Sequence, residues 1–379
     1  MKKIAVVGTS NAIIKDGYGQ FLQSLLPHQV DIYGLGACSS LHAVFSLLKY
    51  DLADRYEYVI FDCCSNDYGF WRQKRLSKHL ILAYWAFIFE RLRKSGTVPI
   101  FLLLTVSSGN RKMVEFYVNM ARLFDVACID ISRRFSGIPR EELFRDHAHY
   151  SRGFQQKIAH AILEAIAGSK PTIRRLPFSE DIGFYLSDKQ LCDNRKRIAT
   201  SLMEMECSAI DTQQQGNIVF PQDAGYISGI LFWSDGPESG AYDLLDIHNG
   251  TNRVQEDLNL EFRGFFVREL AASLPEGLKA PVISFQRTAV PQAAPIGRNP
   301  VIPSQRNPVF YVNSFLFCTV PPVAWGKAFY QRHRAVLKES FRQRVQHGVF
   351  LLRMLAHKAA GIGIRMRHAR QKNTACKEC

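Results

Sequence analysis

The segment KIAVVGTSN, residues 3–11, begins with a short apolar run and ends in a glycine followed by three polar residues. A continuous apolar run of this length is typical of a strand that is buried on both faces of a parallel sheet. Ser10 comes just after this predicted strand. Because active sites of parallel sheets lie beyond the carboxyl ends of their strands, the segment predicts a functional edge of the sheet at Ser10.

Residues 1–168 continue this pattern, with short apolar runs alternating with amphipathic helical stretches. The predicted strands are Lys3–Val7, Val30–Tyr33, Glu57–Asp62, Val98–Val106 and Val126–Asp130. The predicted helices are Gly17–Leu26, Leu41–Tyr50, Arg72–Arg93, Arg111–Phe124 and Gly153–Ala167. Strands that alternate with helices of this length indicate βαβ units, and therefore a parallel sheet covered by helices on both faces.

Residues 171–323 have a different pattern, with short alternating runs separated by turn sequences such as Asp235-Gly236-Pro237. The predicted strands are Asn217–Phe220, Tyr226–Trp233, Ala241–Ile247, Leu258–Val267, Val282–Arg287 and Phe310–Phe317. They predict an antiparallel β-sandwich domain. Five prolines within residues 291–308 predict a long loop before the last strand.

The tail, residues 324–379, is predicted to be a third unit. It holds 13 Lys/Arg and 2 Asp/Glu, which is +11 of the net charge of +14. Apolar residues at helical spacing predict a basic amphipathic helix; they are Leu337, Phe341, Val345, Val349 and Leu352. Two interpretations remain open: a helix docked on the sandwich, or one that binds an anionic membrane surface or a membrane-bound synthase. The small charge on the rest of the chain argues against a nucleic-acid-binding protein.

The N-terminus and the cysteines both bear on the compartment. The first apolar run is too short for a secretory signal, and no run is long enough to span a membrane. Nine cysteines, an odd number, with most of them in apolar surroundings, are typical of a reducing compartment. We therefore expect a cytoplasmic protein, or one peripheral at the inner face of the membrane.

Polar residues that follow the predicted strands supply the elements of acyl-transfer chemistry. Ser10 follows the first strand and is the candidate nucleophile. Asp146 precedes His149 by three residues in one loop, so the carboxylate can orient the imidazole and leave Nε2 free as a general base. A nucleophile, a base and an orienting acid at one sheet edge are what acyl transfer requires.

Candidate donors to a tetrahedral oxyanion lie at the same edge. They are the N–H of Ser10, the N–H of Gly36 after the second strand, and the side chain of Asn66 after the third strand. Ser39 is the alternative to Gly36. Each of these residues also fits an ordinary turn or cap. A metal site at Asp146, His147 and His149 is disfavoured because no distant ligand has suitable spacing, so we expect neither a metal nor a cofactor.

These motifs together resemble the SGNH (GDSL-type) hydrolase superfamily, whose four sequence blocks contribute a serine, a glycine, an asparagine and an Asp-x-x-His. Residues 8–11 (GTSN) resemble the first block, with Thr9 where the family commonly has Asp. Residues 64–67 (CSND) resemble the third block, with Cys64 in place of Gly, and residues 146–149 match the fourth. The GTSN start followed by a β-rich domain is similar to SGNH proteins of bacterial surface-polysaccharide gene clusters.

The resemblance implies a three-layer α/β/α domain, no metal, and hydrolysis of esters, often of acetyl groups on sugars. It implies Ser10, Asp146 and His149 as the catalytic residues, with Ser10, Gly36 or Ser39, and Asn66 in the oxyanion hole. We therefore expect a carbohydrate O-acetyl esterase or O-acetyltransferase whose partner is an acylated carbohydrate. The alternative is a non-catalytic protein that binds a glycan or a partner through a degenerate SGNH scaffold.

Overall fold

A computed structural model describes the chain from residue 3 to residue 338. The stretches it leaves undescribed within this range are 107–108, 169–172, 178–180, 188–190, 192–193, 201–203, 212–216, 222, 235–240, 250–251, 259–263, 272–277, 280 and 290–308. The predicted proline-rich loop, residues 291–308, lies wholly outside the described residues, as does the predicted tail helix beyond residue 338.

The N-terminal domain contains a five-stranded parallel sheet in the order β2-β1-β3-β4-β5. Its strands are β1 (Ile4–Val7), β2 (Val30–Ile32), β3 (Tyr58–Phe61), β4 (Val98–Leu103) and β5 (Ala127–Asp130). The helices are α1 (Ser10–Ile13), α2 (Tyr18–Leu25), α3 (Leu41–Lys49), α4 (Leu52–Arg55), α5 (Cys64–Arg72), α6 (Lys78–Ser95), α7 (Arg111–Phe124), α8 (Ile131–Arg134), α9 (Arg140–Leu143) and α10 (Arg152–Gly168).

Alternate strand residues pack on opposite helix layers, since successive side chains of a strand point to opposite faces. Ala5 and Val7 belong to a core with α3, α6 and α7, whereas Ile4 and Val6 belong to a second core with α2 and α10. The predicted α/β/α architecture is therefore confirmed. All five strands end at the same edge of the sheet, where α1 and the candidate site lie.

One predicted helix, Arg72–Arg93, is wrong at its start, because the structure has two helices there. α5 begins at Cys64 and ends at Arg72, and α6 begins at Lys78. Ser77 caps α6 by accepting a hydrogen bond from the N–H of Leu80 at 3.2 Å, which satisfies one of the free donors of the first turn. Lys74, between the helices, has a φ of +59°, which interrupts helical geometry.

The second domain contains ten antiparallel strands in two sheets. The strands are β6 (Phe184–Ser187), β7 (Arg195–Ala199), β8 (Glu204–Asp211), β9 (Ile218–Val219), β10 (Tyr226–Ser234), β11 (Ala241–His248), β12 (Arg253–Asp257), β13 (Gly264–Glu269), β14 (Val282–Ala289) and β15 (Val309–Cys318). One sheet has the order β13-β10-β15-β8-β7, with β6 also paired to β15, and the other has the order β12-β11-β14-β9. Apolar residues from both sheets, including Ile230 and Ile283, form one core, so the predicted antiparallel sandwich is confirmed.

The sandwich differs from its prediction in four strands and one boundary. β6, β7, β8 and β12 were not predicted, and the expected strand Leu258–Val267 is found as β13, which begins at Gly264. β7 has the sequence RKRIA and is largely exposed. Its apolar alternation is too weak to detect, because neither face of this edge strand is well buried.

The larger sheet of the sandwich packs directly on the N-terminal domain. Trp233, Val267 and Leu316 share one apolar core with α3 and α6. Lys49 of α3 donates to Oδ1 of Asn313 on β15 at 2.6 Å, which adds a polar contact at the same boundary. The two domains therefore share buried apolar surface rather than being joined by a linker alone.

The start of the tail forms two helices, α11 (Pro322–Arg332) and α12 (Arg334–Lys338). α11 packs on α6 so closely that a Cβ at Gly326 would lie 2.0 Å from the backbone oxygen of His79. α12 packs on α7, where Leu337 is 4% exposed and its carbonyl accepts from Asn119 Nδ2 at 3.2 Å. This part of the tail therefore packs on the N-terminal domain, whereas the predicted amphipathic helix, apart from Leu337, lies outside the described residues.

Candidate active site

The candidate nucleophile lies at the start of α1, at the carboxyl end of β1. The parallel pairing of β1 with β3 places Val7 opposite Phe61, so the residues that follow both strands lie side by side. The N–H of Thr9 donates to Oδ1 of Asp62 at 2.5 Å. The backbone just before Ser10 is therefore held by a carboxylate from the neighbouring strand end.

Ser10, His149 and Asp146 lie together in a hydrogen-bonded series. Ser10 Oγ is 3.0 Å from His149 Nε2. His149 Nδ1 lies 3.0 Å and 2.9 Å from the two carboxylate oxygens of Asp146. A carboxylate accepts only, so Nδ1 carries the proton and Nε2 can accept from the serine hydroxyl. The three residues have the mutual geometry of a nucleophile, a general base and its orienting acid.

The ionised form of Asp146 is stabilised by local donors. Partial burial opposes ionisation, but the N–H groups of Ala148 and His149 and the His149 ring hold the pKa of the Asp146 carboxyl well below its usual range. Both N–H groups donate to Oδ1 at 2.8 Å. Asp146 is therefore negatively charged throughout the neutral range, as an orienting acceptor must be.

The loop that carries His149 is closed by its own contacts. Phe144 and Tyr150 form an isolated β-bridge, and their rings stack at 4.6 Å. The N–H of Arg145 donates to the carbonyl of His149 at 3.0 Å. The hydroxyl of Tyr150 accepts from the N–H of Thr105, just beyond β4, at 2.8 Å. The imidazole is thus presented by a short, internally bonded loop that is fixed to the sheet.

The three candidate oxyanion donors come from separate segments of this edge. Asn66 lies in the first turn of α5, and its Nδ2 is buried without a hydrogen-bond partner among the described residues. A buried amide left unpaired is costly, so a donor held in this way favours an acceptor that is supplied by a substrate. The segment that carries Gly36 and Ser39 lies beside Gly8, because the N–H of Leu35 donates to the carbonyl of Gly8 at 3.1 Å.

Gly36 and Ser39 differ in their surroundings. Gly36 is half-buried, and a Cβ built on it would meet no atom within 4 Å. Ser39 is 4% exposed, and its Oγ accepts from the N–H of Leu41 at 3.3 Å. Substrate can therefore approach the backbone more readily at Gly36 than at Ser39.

Two buried carboxylates that the sequence reasoning did not assign hold the site loops in place. Asp62 accepts from Thr9 N–H and from the hydroxyl of Tyr18, the latter at 2.6 Å. Asp67 accepts from the N–H of Ser40 at 2.7 Å and from the hydroxyl of Tyr117 at 2.6 Å. A charged residue at the end of an apolar strand is the signal that could have identified Asp62, since such a group needs buried partners.

The titration of these two carboxyls is dominated by burial. Burial raises the pKa of Asp62 to about 6, although the donors Tyr18 and Thr9 limit the rise. Burial likewise raises the pKa of Asp67 to about 6 against its donors Tyr117 and Ser40. Both carboxyls are therefore largely ionised at neutral pH, and each anchors one loop of the site through a backbone N–H.

The described residues offer no grouping of three or more His, Cys, Asp or Glu side chains that could hold a metal ion. His147, which the sequence placed in a disfavoured metal site, is exposed. Within residues 3–338, leaving aside the undescribed stretches, no helix is long and apolar enough to cross a bilayer.

Comparisons with known proteins give matches to solved structures only. No family model matches the sequence, and no curated protein matches it. A two-domain esterase active on acetylated mannans is similar over 84% of this chain and 91% of its own, with 13% identity and a TM-score of 0.55. The same kind of esterase co-crystallised with mannopentaose is similar over 84% of this chain and 90% of its own, with 12% identity and a TM-score of 0.56. An acetylxylan esterase from Geobacillus stearothermophilus covers 46% of this chain, with 15% identity and a TM-score of 0.35.

The similarity to the two-domain esterase extends through both the α/β/α domain and the sandwich. At this level of identity it establishes the fold. Together with the sheet order, it shows a five-stranded parallel α/β/α domain followed by an antiparallel sandwich, in agreement with the SGNH hydrolase fold expected from the sequence.

Proposed function

We propose that this protein is a serine-dependent esterase that removes O-acyl groups, in particular acetyl groups, from a carbohydrate. The single observation that carries the proposal is the hydrogen-bonded series of Ser10, His149 and Asp146 at the carboxyl edge of the sheet. Ser10 Oγ attacks the acyl carbonyl carbon while His149 Nε2 takes the hydroxyl proton. His149 then returns this proton to the leaving sugar oxygen, which leaves an acyl group on Ser10.

The negative oxygen of the tetrahedral intermediate is stabilised by the N–H of Ser10, the N–H of Gly36 and Nδ2 of Asn66. The open space beside Gly36 favours this residue over Ser39 as the second donor. In the second half of the reaction, His149 Nε2 takes a proton from the acceptor, whose oxygen attacks the acyl carbon of the acyl-serine. The bond between this carbon and Ser10 Oγ then breaks, and His149 returns the proton to Ser10 Oγ. A water acceptor gives an esterase, and a second sugar hydroxyl gives an O-acetyltransferase.

The carbohydrate part of the proposal rests on the sandwich. A cavity lined by Ala37 and Ser39 is also lined by Phe232, Glu256 and Arg268 of the sandwich. Strands of the second domain therefore line a cavity that reaches Ser39, the alternative second oxyanion donor. The structurally similar two-domain esterase acts on acetylated mannans, which supports an acylated glycan as the substrate class.

The compartment and the partners of the tail are also part of the proposal. Six cysteines of the described chain have free thiols, and five of these are buried. Free thiols are typical of a reducing compartment, which supports a cytoplasmic location. The resemblance of the GTSN start to SGNH proteins of surface-polysaccharide gene clusters is the basis for placing the enzyme in surface-polysaccharide biosynthesis. We assign the basic segment 339–379 to an anionic membrane surface, with a membrane-bound synthase as the other candidate partner.

The decisive experiment is labelling with a fluorophosphonate that reacts with activated serines, followed by mass spectrometry of the peptides. We expect a stoichiometric adduct at Ser10 in the folded wild type and none in Ser10→Ala. Ser24→Ala is the matched control, since Ser24 Oγ is exposed and donates to a helix carbonyl. Folded protein without an adduct at Ser10 would favour the non-catalytic binding protein instead.

A further inference from the structure

Asn11, the residue after the candidate nucleophile, is bonded to both peptide neighbours of His149. Its Nδ2 donates to the carbonyl of Ala148 at 3.1 Å. Its Oδ1 accepts from the N–H of Tyr150 at 3.1 Å. One side chain therefore holds the backbone on each side of the imidazole, across 137 to 139 residues of sequence.

The orientation of the Asn11 amide is fixed by a second buried amide. Gln155 Nε2 donates to Asn11 Oδ1 at 3.0 Å, and Gln155 Oε1 accepts from the N–H of Tyr18 at 3.1 Å. Both side chains are almost fully buried, with exposures of 3% for Asn11 and 1% for Gln155. Because few waters can replace these bonds, the amide cannot exchange its donor and acceptor ends without leaving buried groups unpaired.

The same network reaches the other side of Ser10. The hydroxyl of Tyr18 donates to Asp62, which accepts from the N–H of Thr9. Residues 9 and 11, which flank the nucleophile, are thus joined through Asp62, Tyr18 and Gln155. The backbone of Ser10 is held from both sides, but the link to the histidine loop runs from Asn11.

We propose that Asn11 is a positioning residue that sets the distance between Ser10 Oγ and His149 Nε2. The role rests on the proposed function, in which this contact transfers the proton. The side chain of Asn11 makes the hydrogen bonds described above and does not contact the reacting atoms. Its loss leaves the loop of residues 144–150 with its internal bonds and its contact with Thr105 but without its link to α1, and a displacement of about 1 Å relative to α1 can cost roughly 100-fold in rate.

The test compares three variants in turnover of p-nitrophenyl acetate. Asn11→Leu removes all three hydrogen bonds at similar volume. Asn11→Asp keeps the acceptor for Tyr150 and Gln155 but sets an oxygen against the carbonyl of Ala148. Asn119→Leu is the matched control, because Asn119 is also 3% exposed and donates to a distant carbonyl, that of Leu337.

We expect kcat to fall by about 10- to 100-fold in Asn11→Leu and less in Asn11→Asp, with KM changed by no more than about twofold. Asn119→Leu should lose stability but keep the wild-type kcat per folded molecule. If Asn11→Leu does not fold, the kcat of Asn11→Asp tests the proposal. A wild-type kcat in the folded Asn11 variants, or an equal loss in Asn119→Leu, would overturn the proposal.

A second measurement separates this proposal from the proposed function. NMR of labelled histidine reports the Nδ1 proton and the Nε2 shift of His149 without any substrate. We expect both signals to change in the Asn11 variants and to be unaltered in Asn119→Leu. If the wild type hydrolyses no ester but these changes occur, the esterase function fails and the positioning role stands. If the wild type is active and His149 is unchanged in the Asn11 variants, the positioning role is wrong.

Discussion

His149 Nε2 lies 3.0 Å from Ser10 Oγ, although 139 residues separate the two along the chain. The sheet accounts for the approach of the two segments, since Ser10 follows its first strand and the loop of His149 is fixed to the end of its fourth strand through Tyr150 and Thr105. The orientation of the imidazole comes from Asp146 within the same loop. The site thus combines a long-range contact with a local one, and the two can be tested separately.

Asp146→Asn should lower kcat strongly with little change in KM. The amide can still accept from the backbone through Oδ1, but its NH2 group faces Nδ1 and favours the tautomer in which Nε2 carries the proton. Such a histidine cannot accept from Ser10, and the analogous change in serine proteases costs about 10⁴-fold. Steady-state kinetics on p-nitrophenyl acetate measure the effect. The control is Asp16→Asn, which changes a carboxylate between α1 and α2. An equal loss of kcat in this variant would contradict the assignment.

Asn66→Ala should reduce kcat by about 10²- to 10³-fold, the usual cost of removing one oxyanion donor. The same change should leave the melting temperature nearly unaltered, because Nδ2 of Asn66 has no partner to lose among the described residues. Asn313→Ala should behave in the opposite way. Asn313 bonds to Lys49 and to the carbonyl of Glu206, so its removal costs stability but not turnover. An Asn66→Ala protein with wild-type kcat would remove Asn66 from the oxyanion hole.

Glu269→Gln should be more stable than the wild type, by an amount that increases as the pH rises from about 5 to about 8. Glu269 is buried at the boundary of the two domains, where it accepts from Tyr84 and from the N–H of Ala271. Burial raises the pKa of Glu269 to about 8, while these two donors limit the rise. The folded state therefore retains a proton that the unfolded chain releases, and stability is lost as pH rises from the unfolded pKa towards the folded pKa.

Urea unfolding of both proteins at pH values of about 5 and about 8 measures this difference in stability. The free energy of unfolding of Glu269→Gln relative to wild type should increase by on the order of a few kcal/mol between them. Glu164→Gln, on a side chain that is 64% exposed, should show no comparable trend. A variant whose advantage is the same at both pH values would contradict a protonated Glu269 in the folded protein.

Truncation after residue 338 should separate membrane binding from folding. Residues 339–379 contain nine Lys/Arg, and each can contribute about 1 kcal/mol of attraction near an anionic surface. The full chain should therefore co-sediment with anionic liposomes at low salt and be released at high salt, whereas a chain ending at Lys338 should stay free. Equal binding by the shorter chain would place the contact elsewhere.

Truncation after Val323 gives the second arm of this experiment. It removes most of α11 and all of α12, which cover α6 and α7. We expect this chain to lose stability by several degrees of melting temperature or to aggregate, because Phe329 and Leu337 are buried against the N-terminal domain. A chain ending at Val323 that melts like the full chain would contradict the packing role of these helices.

The architecture can be predicted from the sequence because the patterns that mark its strands and its catalytic loop are local. Each buried strand of the N-terminal domain is a continuous apolar run, and the Asp-x-x-His loop is contained within four residues. Asn66 could be placed at the right edge because it follows such a run by only a few residues. Burial on both faces of a sheet leaves a strong pattern, and short-range motifs need no knowledge of tertiary packing.

The unpredicted features depend on contacts between distant segments. The role of Asp62 depends on its hydrogen bonds with Thr9 and Tyr18. The role of Asn11 depends on its hydrogen bonds with residues 148 and 150. Ser77 is not distinguishable as a cap in the sequence, because the apolar residues on both sides predict one continuous helix. Tertiary packing also determines where α11 lies, since a helix with an apolar stripe can cover any complementary surface.

The packing of α12 on α7 constrains the order of events during synthesis on the ribosome. Phe124 at the end of α7 is translated long before Phe329 and Leu337, which cover this part of the N-terminal domain. At roughly 5–20 residues per second, the interval is on the order of 10–40 s. Throughout that time the nascent α/β/α domain exposes the apolar surface that α11 and α12 cover in the folded protein. Chaperones that recognise apolar surface should therefore bind ribosome-attached chains preferentially before residue 337 emerges from the exit tunnel.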